Sequence, residues 1–229
     1  MKSQIETTKP DPLENRWYND ACGTALALEF AGERWSLLIM RELMLGPRRF
    51  SDLRASLPGI SANILTMRLE RLRVLDILRR RQLDPPANVQ VYELTPWGHE
   101  AEPIFQAMSR WALRSPLHDP TLPLTPVSAM LSLRAMLRPD HSAPPMTAGF
   151  RFGRDMFISE LSGSSLHIRR GKPDVVDIEF DTDTTSFVRL VYGKQPLEAL
   201  EGQGLLTLKG DRAVAKVFVD CFELPAHVS

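Results

Sequence analysis

Apolar residues recur with a helical period through most of the first half of the chain. Residues 21–31 and 33–45 are apolar enough to form two core helices. The glycine-proline pair at 46–47 ends the second of them, because proline lacks the N–H that a continuing helix needs. The chain therefore begins as a helical domain.

Two short apolar-periodic runs follow, separated by a proline-glycine turn at 58–59. Phe50, Leu53 and Leu57 lie on one face of a predicted helix over 50–57. Ser61 is a suitable N-cap for a second helix over 62–74, whose leucines form one stripe. This spacing predicts a helix-turn-helix.

The period then changes from helix to strand. Residues 77–83 and 89–94 are short strand-like runs, and the turn-rich sequence between them predicts a hairpin. Thr95 is predicted to cap a last helix that begins at Pro96 and runs to about residue 114. A helix-turn-helix followed by a hairpin is the winged-helix arrangement, so we predict a mainly α winged helix-turn-helix domain over residues 1–117.

Five prolines between residues 123 and 145 favour a boundary in the middle of the chain. We predict a proline-rich linker over 118–146 with one helix at 126–137. Beyond it, four short strand-like runs precede a helix, helix, strand, helix order. That order predicts an α+β domain over 147–229, with an antiparallel sheet and its helices mainly on one side.

The composition, 43% hydrophobic and 24% charged, is typical of a soluble globular protein, and the net charge is zero. Residues 48–81, however, hold nine arginines against three acidic residues. A basic block in a neutral chain points to a polyanion partner. The alternative is a solvated helix face on a plain helical bundle with a surface hairpin.

The outward face at the start of the second tandem helix carries only short side chains, namely Ser61, Ala62, Asn63 and Thr66. Short donors and acceptors suit the base edges of a major groove that just admits a helix. Arginines flank this face, and we predict phosphate contacts from Arg48, Arg49, Arg68, Arg79 and Arg81. The predicted partner is double-stranded DNA.

Several motifs in order resemble the HxlR-type branch of bacterial winged-helix transcription regulators, over about residues 20–113. They are Cys22, Gly32-Glu33-Arg34-Trp35, Arg49-Phe50-Ser51-Asp52-Leu53, Gly59-Ile60-Ser61 with Leu65-Thr66, and Tyr92-Glu93-Leu94-Thr95 with Gly98. The chain departs from the family pattern at Arg34, where a lysine is usual, and at Asp76, where a glycine usually precedes the wing. The resemblance implies a homodimer built from residues 13–31 and 97–114, and a palindromic operator.

The C-terminal part resembles, less specifically, the sterol-carrier-like fold. The residues that carry this resemblance are Phe187, Tyr192-Gly193, Pro196, Ala199-Leu200, Gly204-Leu205-Leu206, Gly210-Asp211 and Phe218. It implies a site for a small apolar effector, with a pocket lined by Phe150, Phe157, Phe180, Phe187, Leu206 and Phe218. The alternative is that these side chains simply form a core.

Cys22 precedes a helix, and the resemblance implies a redox sensor there, since a helix N-terminus can lower a thiol pKa. The alternative is a small buried residue. No catalytic motif, cofactor fingerprint or zinc spacing is recognisable, so we predict no enzyme, no cofactor and no metal. No apolar run is long enough to span a membrane, and no secretory signal is predicted, which favours the cytoplasm.

The sequence thus predicts a homodimeric, sequence-specific DNA-binding regulator of transcription, modulated by a small apolar ligand. The alternative function is a carrier of lipids or small apolar ligands whose N-terminal domain serves only for dimerisation.

Overall fold

The structure, a computed structural model, describes residues 18–228, which form two compact units. The N-terminal unit comprises the described residues up to 43 together with 47–99, and the C-terminal unit comprises 44–46 and 100–228. None of the helices in the described part of the chain is long and apolar enough to cross a membrane.

The N-terminal unit contains five helices and a two-stranded hairpin. They are α1 (Gly23–Ala31), α2 (Ser36–Leu43), α3 (Phe50–Ser56), α4 (Ala62–Val74), β1 (Leu78–Gln82), β2 (Gln90–Leu94) and α5 (Pro96–His99). The predicted tandem helices and hairpin are therefore present. Ser61 caps α4 as predicted, because its side chain accepts a hydrogen bond from the Ile64 backbone N–H at 3.2 Å.

The leucine stripe of α4 faces the core of this unit. Leu65, Leu69 and Leu72 are buried, and α4 packs on α2, whose Ile39 and Leu43 are also buried. Gly59, between α3 and α4, has a φ of +90°, a conformation that glycine adopts without the steric cost of a side chain. The apolar spacing fixes which face of α4 is buried, and thereby which face is left outside.

Asp76 makes the turn from α4 into the hairpin. Its φ is +58°, the left-handed region that aspartate tolerates better than most residues. The backbone carbonyl of Asp76 accepts a hydrogen bond from the Thr95 hydroxyl at 2.7 Å. Asp76 thus makes this turn in a conformation that glycine adopts most readily.

The predicted single helix over 96–114 is wrong, because two helices occupy this stretch. Thr95 caps the first as predicted, through a hydrogen bond from the Gly98 N–H, but α5 ends at His99. The next helix, α6 (Glu102–Ala112), has Pro103 in its first turn. Because proline has no N–H to donate to the preceding turn, the helix restarts there.

In the C-terminal unit α6 and α7 (Pro126–Met136) precede a five-stranded sheet and three further helices. The remaining elements are β3 (Met146–Phe152), β4 (Asp155–Ser162), β5 (Ser165–Arg170), β6 (Ile178–Thr182), α8 (Thr184–Val191), α9 (Leu197–Gly202), β7 (Leu206–Gly210) and α10 (Arg212–Asp220). These match the predicted order of elements. The units divide before α6 rather than at residue 117, because α6 packs on α7.

The sheet is mixed, which corrects the predicted antiparallel sheet. Its strand order is β5-β4-β3-β6-β7, and β3 and β6 are parallel, with Ala148 opposite Ile178. Residues 171–177 connect β5 to β6 and pass over the sheet at Gly149, where a Cβ would overlap the ring of Pro173. This crossover returns the chain beside β3 in the same direction.

The phenylalanines predicted to line an apolar pocket lie in the packed core of the C-terminal unit. The ring centroids of Phe180, Phe187 and Phe218 lie 5.5–5.9 Å from the ring centroid of Phe150. All six predicted pocket residues are buried, including Phe157 and Leu206. These side chains therefore fill the space between sheet and helices with one another, which corrects their assignment as pocket walls.

Candidate nucleic-acid interface

The N-terminal end of α4 presents an exposed face of short side chains. Ser61, Asn63 and Thr66 are exposed and Ala62 is half-buried, as the leucine stripe on the opposite side requires. The Ser61 side chain accepts the cap hydrogen bond, and the Thr66 hydroxyl donates to the Ala62 carbonyl at 3.0 Å. Asn63 is left with its amide unused by any described residue, so it is the side chain here best able to contact a base edge.

Two arginines at the ends of α3, the helix before α4, are exposed and form no ion pair within residues 18–228. Arg49 is the N-cap residue of α3, and its side chain makes no cap hydrogen bond. Arg54 lies in the last turn of the same helix. Arg49 was predicted as a phosphate contact, whereas Arg54 was not, although it belongs to the same basic block. Both guanidinium groups are available for phosphate oxygens.

Arg48 is a buried structural residue, which corrects its prediction as a phosphate contact. It is only 7% exposed, and its Nη2 donates to the Ser56 hydroxyl at 2.9 Å. The backbone of Arg48 also pairs with Tyr92, through N–H to carbonyl bonds of 2.9 and 2.8 Å. Residue 48 thus attaches the segment before α3 to the hairpin.

Arg68 is likewise engaged inside the N-terminal unit. Its guanidinium forms an ion pair with Glu33, and its Nε donates to the Arg34 carbonyl at 3.2 Å. Its predicted contact with phosphate would therefore compete with Glu33 for the guanidinium. The partner lies far away along the chain, so spacing could not reveal the pair.

The hairpin carries arginines on both faces, as the alternation of β1 predicts. Arg79 and Arg81 lie on one face and donate to the two oxygens of Glu93 on β2, at 2.7 and 3.1 Å. Arg80 is exposed on the other face, opposite Tyr92 in the register. Two predicted contact residues are therefore held by Glu93, an acidic residue that was not among the predicted site residues.

The environment of Glu93 keeps it ionised. Burial acts to raise the pKa of Glu93, but hydrogen bonds from Arg79 and Arg81 outweigh it and hold the pKa below its ordinary value. At neutral pH the cluster of Glu93, Arg79 and Arg81 carries a net charge of one positive unit. The hairpin is positively charged but less so than a count of arginines suggests.

Cys22 is exposed at the start of α1, so it is not the small buried residue of the alternative interpretation. Its sulfur accepts a hydrogen bond from the Thr24 backbone N–H at 3.4 Å, and this bond lowers the pKa of the thiol. Among the described residues no group of His, Cys, Asp and Glu could hold a metal ion.

The model of the HxlR-like helix-turn-helix family matches residues 30–117. The HTH-type transcriptional regulator YodB of Bacillus subtilis (strain 168) is 36% identical over 86 residues, covering 38% of this chain and 77% of YodB. YvaP of the same organism, named an HTH-type transcriptional regulator, is 33% identical over 87 residues, covering 38% of this chain and 80% of YvaP.

The reduced form of YodB, a solved structure, aligns with 44% of this chain and 100% of its own, at 32% identity and a TM-score of 0.39. The matched residues contain the tandem helices, the hairpin and the exposed face of α4. The chain therefore belongs to the HxlR-like helix-turn-helix family, whose relatives named here are transcriptional regulators.

Proposed function

We propose that this DNA-binding regulator recognises a specific palindromic operator as a homodimer, with α4 in the major groove. The observation that carries the proposal is the Asn63 amide on an exposed helix end, which no described residue uses. It lies close in sequence to Arg49 and Arg54, which form no ion pair with the described residues. An asparagine amide can both donate and accept at one adenine edge. The arginines supply affinity for phosphates of any sequence.

Selection of bound sequences from a random DNA pool tests the proposal, and an enriched inverted repeat is the expected result. Recovery of unrelated sequences with no common motif would contradict specific recognition. The alternative carrier function predicts that outcome.

Asn63→Ala tests the contact itself. If the amide bonds to one base in two places, its loss costs about 1–3 kcal/mol at that position and leaves binding to unrelated DNA unchanged. The measurement is a set of dissociation constants for the selected site and for each single-base change in it. Gln203→Ala, at an exposed side-chain amide of the C-terminal unit, is the matched control. A uniform loss of affinity over all sites would contradict a base contact.

The homodimer is supported by an apolar stripe on α6. Ile104, Met108 and Trp111 recur at helical spacing and are all exposed, Trp111 by 77%. These residues lie within the interface region 97–114 that the sequence predicts. The other predicted region, 13–31, falls partly outside the described residues, and in its described part Tyr18, Leu26 and Leu28 are exposed. A second copy of the chain would cover the exposed apolar residues of each region.

Modulation by a small ligand and an oxidant response at Cys22 belong to the same proposal. The exposed thiol with its lowered pKa supports the latter. An apolar effector would have to displace the packed phenylalanines of the C-terminal core. A site for a ligand is therefore better sought on the surface of that unit.

A further inference from the structure

The C-terminal unit has a polar cleft of about 420 Å³ between α6, α7 and the start of β5. This volume lies within the range of about 300–1,000 Å³ that is usual for small-molecule sites. The lining residues are Glu102, Gln106, Arg134, Leu137 and Ser164 to His167. None of them belongs to the predicted ligand pocket or to the nucleic-acid interface.

Arg134 of α7 is the cationic wall of the cleft. Its Nη1 donates to Glu102 Oε1 at 2.6 Å, and its Nη2 donates to the Ile168 carbonyl at 2.7 Å. Its Nε is buried and has no acceptor among the described residues. Two of the three nitrogens of Arg134 are thus bonded, and the third could still donate a hydrogen bond to an acceptor.

The other polar groups of the cleft include two hydroxyls and an imidazole, each of which can donate a hydrogen bond. Ser164, Ser165 and His167 are exposed along one edge, and the Ser165 hydroxyl lies 3.4 Å from His167 Nε2. Gln106 donates to Glu102 Oε1 at 3.2 Å, so the single carboxylate of the cleft is already bonded to Arg134 and Gln106. A ligand that supplies acceptor oxygens fits this set better than a cation or an apolar molecule.

We propose that this cleft binds a small organic acid, whose carboxylate replaces that of Glu102 on Arg134. Arginine and a carboxylate can form two parallel charge-assisted hydrogen bonds, and the hydroxyls and the imidazole along the edge can bond the remaining oxygens. Glu102 is half-buried, so on exchange it can turn to water. The ligand and Glu102 compete for one guanidinium.

This exchange would regulate DNA binding, a consequence that rests on the proposed function. Glu102 lies in the first turn of α6, and its ion pair with Arg134 joins α6 to α7. The same helix carries Ile104, Met108 and Trp111, the proposed dimer surface. Release of Glu102 loosens the helix that the dimer needs, so the acid lowers affinity for the operator.

Calorimetric titration of the full chain without DNA tests the site independently of its effect on DNA. The probes are succinate and benzoate, with succinamide, benzamide and inorganic phosphate as comparisons. We expect one of the two carboxylates to bind at least about tenfold more tightly than its amide, as loss of a charged hydrogen bond implies. Equal binding of acid and amide, or binding of phosphate alone, would overturn the proposal.

Variants locate the site. Arg134→Gln should weaken binding by about tenfold or more, and Arg169→Gln, at an exposed arginine on the same strand as His167, should leave it unchanged. If Arg134→Gln does not fold, His167→Leu at an exposed strand position replaces it and should weaken binding several-fold. Binding that survives the cleft variant, or falls equally in Arg169→Gln, would place the ligand elsewhere.

The regulatory consequence is read from operator affinity with and without the bound acid. Weaker operator binding is expected with the wild-type chain and no change with the cleft variant. A protein that selects no DNA sequence would overturn the proposed function and leave the titration result standing. Binding of the acid with unchanged operator affinity would overturn the regulatory role of the exchange.

Discussion

The arginines of the basic block differ in what each can do, although they are one residue type within 34 positions of the chain. Arg48 is buried, and Arg68 and Arg73 are paired with glutamates. Arg49 and Arg54 remain exposed without an ion pair in the described part of the chain. Only a guanidinium of the last kind can exchange counterions for phosphates without first losing a protein partner.

Arg49→Ala is therefore expected to weaken binding to all DNA sequences alike. The slope of log K against log salt should become shallower by about one unit, since one phosphate contact is lost. The measurement is binding to the selected operator and to an unrelated duplex at several salt concentrations. Arg189→Ala removes an exposed arginine from α8 in the other unit and should change neither slope. An unchanged slope for Arg49→Ala would contradict the phosphate contact.

At the scale of elements, the register of the β1–β2 hairpin determines which arginine side chains an acidic residue on the opposite strand can hold. The register places Arg79 directly opposite Glu93, and Arg81, two residues further on, reaches the same carboxylate. Neighbours two positions apart on a strand share a face, so one acidic residue can hold both guanidinium groups. Glu93 is a positioning residue in this hairpin.

Glu93→Gln is expected to raise affinity for unrelated DNA and to steepen its salt dependence by up to about one unit, because the hairpin loses a negative charge. Preference for the selected operator over unrelated DNA should fall, since the two arginines lose their restraint. Because the pKa of Glu93 lies below its ordinary value, the effect should be the same from about pH 6 to 8. Glu160→Gln, at an exposed strand position of the other unit, is the control. Lower affinity for unrelated DNA would contradict the expected charge effect.

The crossover at Gly149 gives a second prediction at this scale. Gly149→Ala places a methyl group against Pro173 and Val176, and we expect a loss of about 1–3 kcal/mol in the free energy of unfolding. Urea unfolding followed by circular dichroism measures it. Gly202→Ala, where a Cβ meets nothing within 4 Å, should cost no stability. Equal stability of the two variants would contradict the expected overlap, because the crossover segment could then shift away from residue 149 at no cost in stability.

At the scale of the whole molecule, a neutral chain has an uneven distribution of charge. Residues 48–81 carry an excess of six positive charges, so the remainder carries six negative ones. The basic block lies wholly within the N-terminal unit. A dimer would present two such blocks to one DNA molecule, and each would strengthen the binding of the other through effective concentration.

Trp111→Glu tests the dimer. Because Trp111 is exposed, the change should leave the fold intact and convert a dimer to a monomer in sedimentation. Affinity for the full palindrome should fall by about tenfold or more, and affinity for one half-site should not change. Val175→Glu, at a residue 93% exposed in the sheet crossover, is the matched control. If Trp111→Glu remains a dimer, the dimer interface does not include this stripe.

The sequence by itself determined the order of elements apart from the break between α5 and α6, the limits of α4 and the family, because apolar periodicity and capping act over a few neighbouring residues. It also determined that Ser61, Asn63 and Thr66 face outward, since they lie opposite the leucine stripe. These features depend on local spacing alone.

Only the tertiary structure decided which arginines are free, which strands are parallel and whether the phenylalanines line a cavity or fill it. Glu33 and Arg68, or Arg134 and Ile168, lie 34 or more residues apart and meet only when the chain has folded. Such contacts depend on how distant elements pack, and no local pattern encodes that.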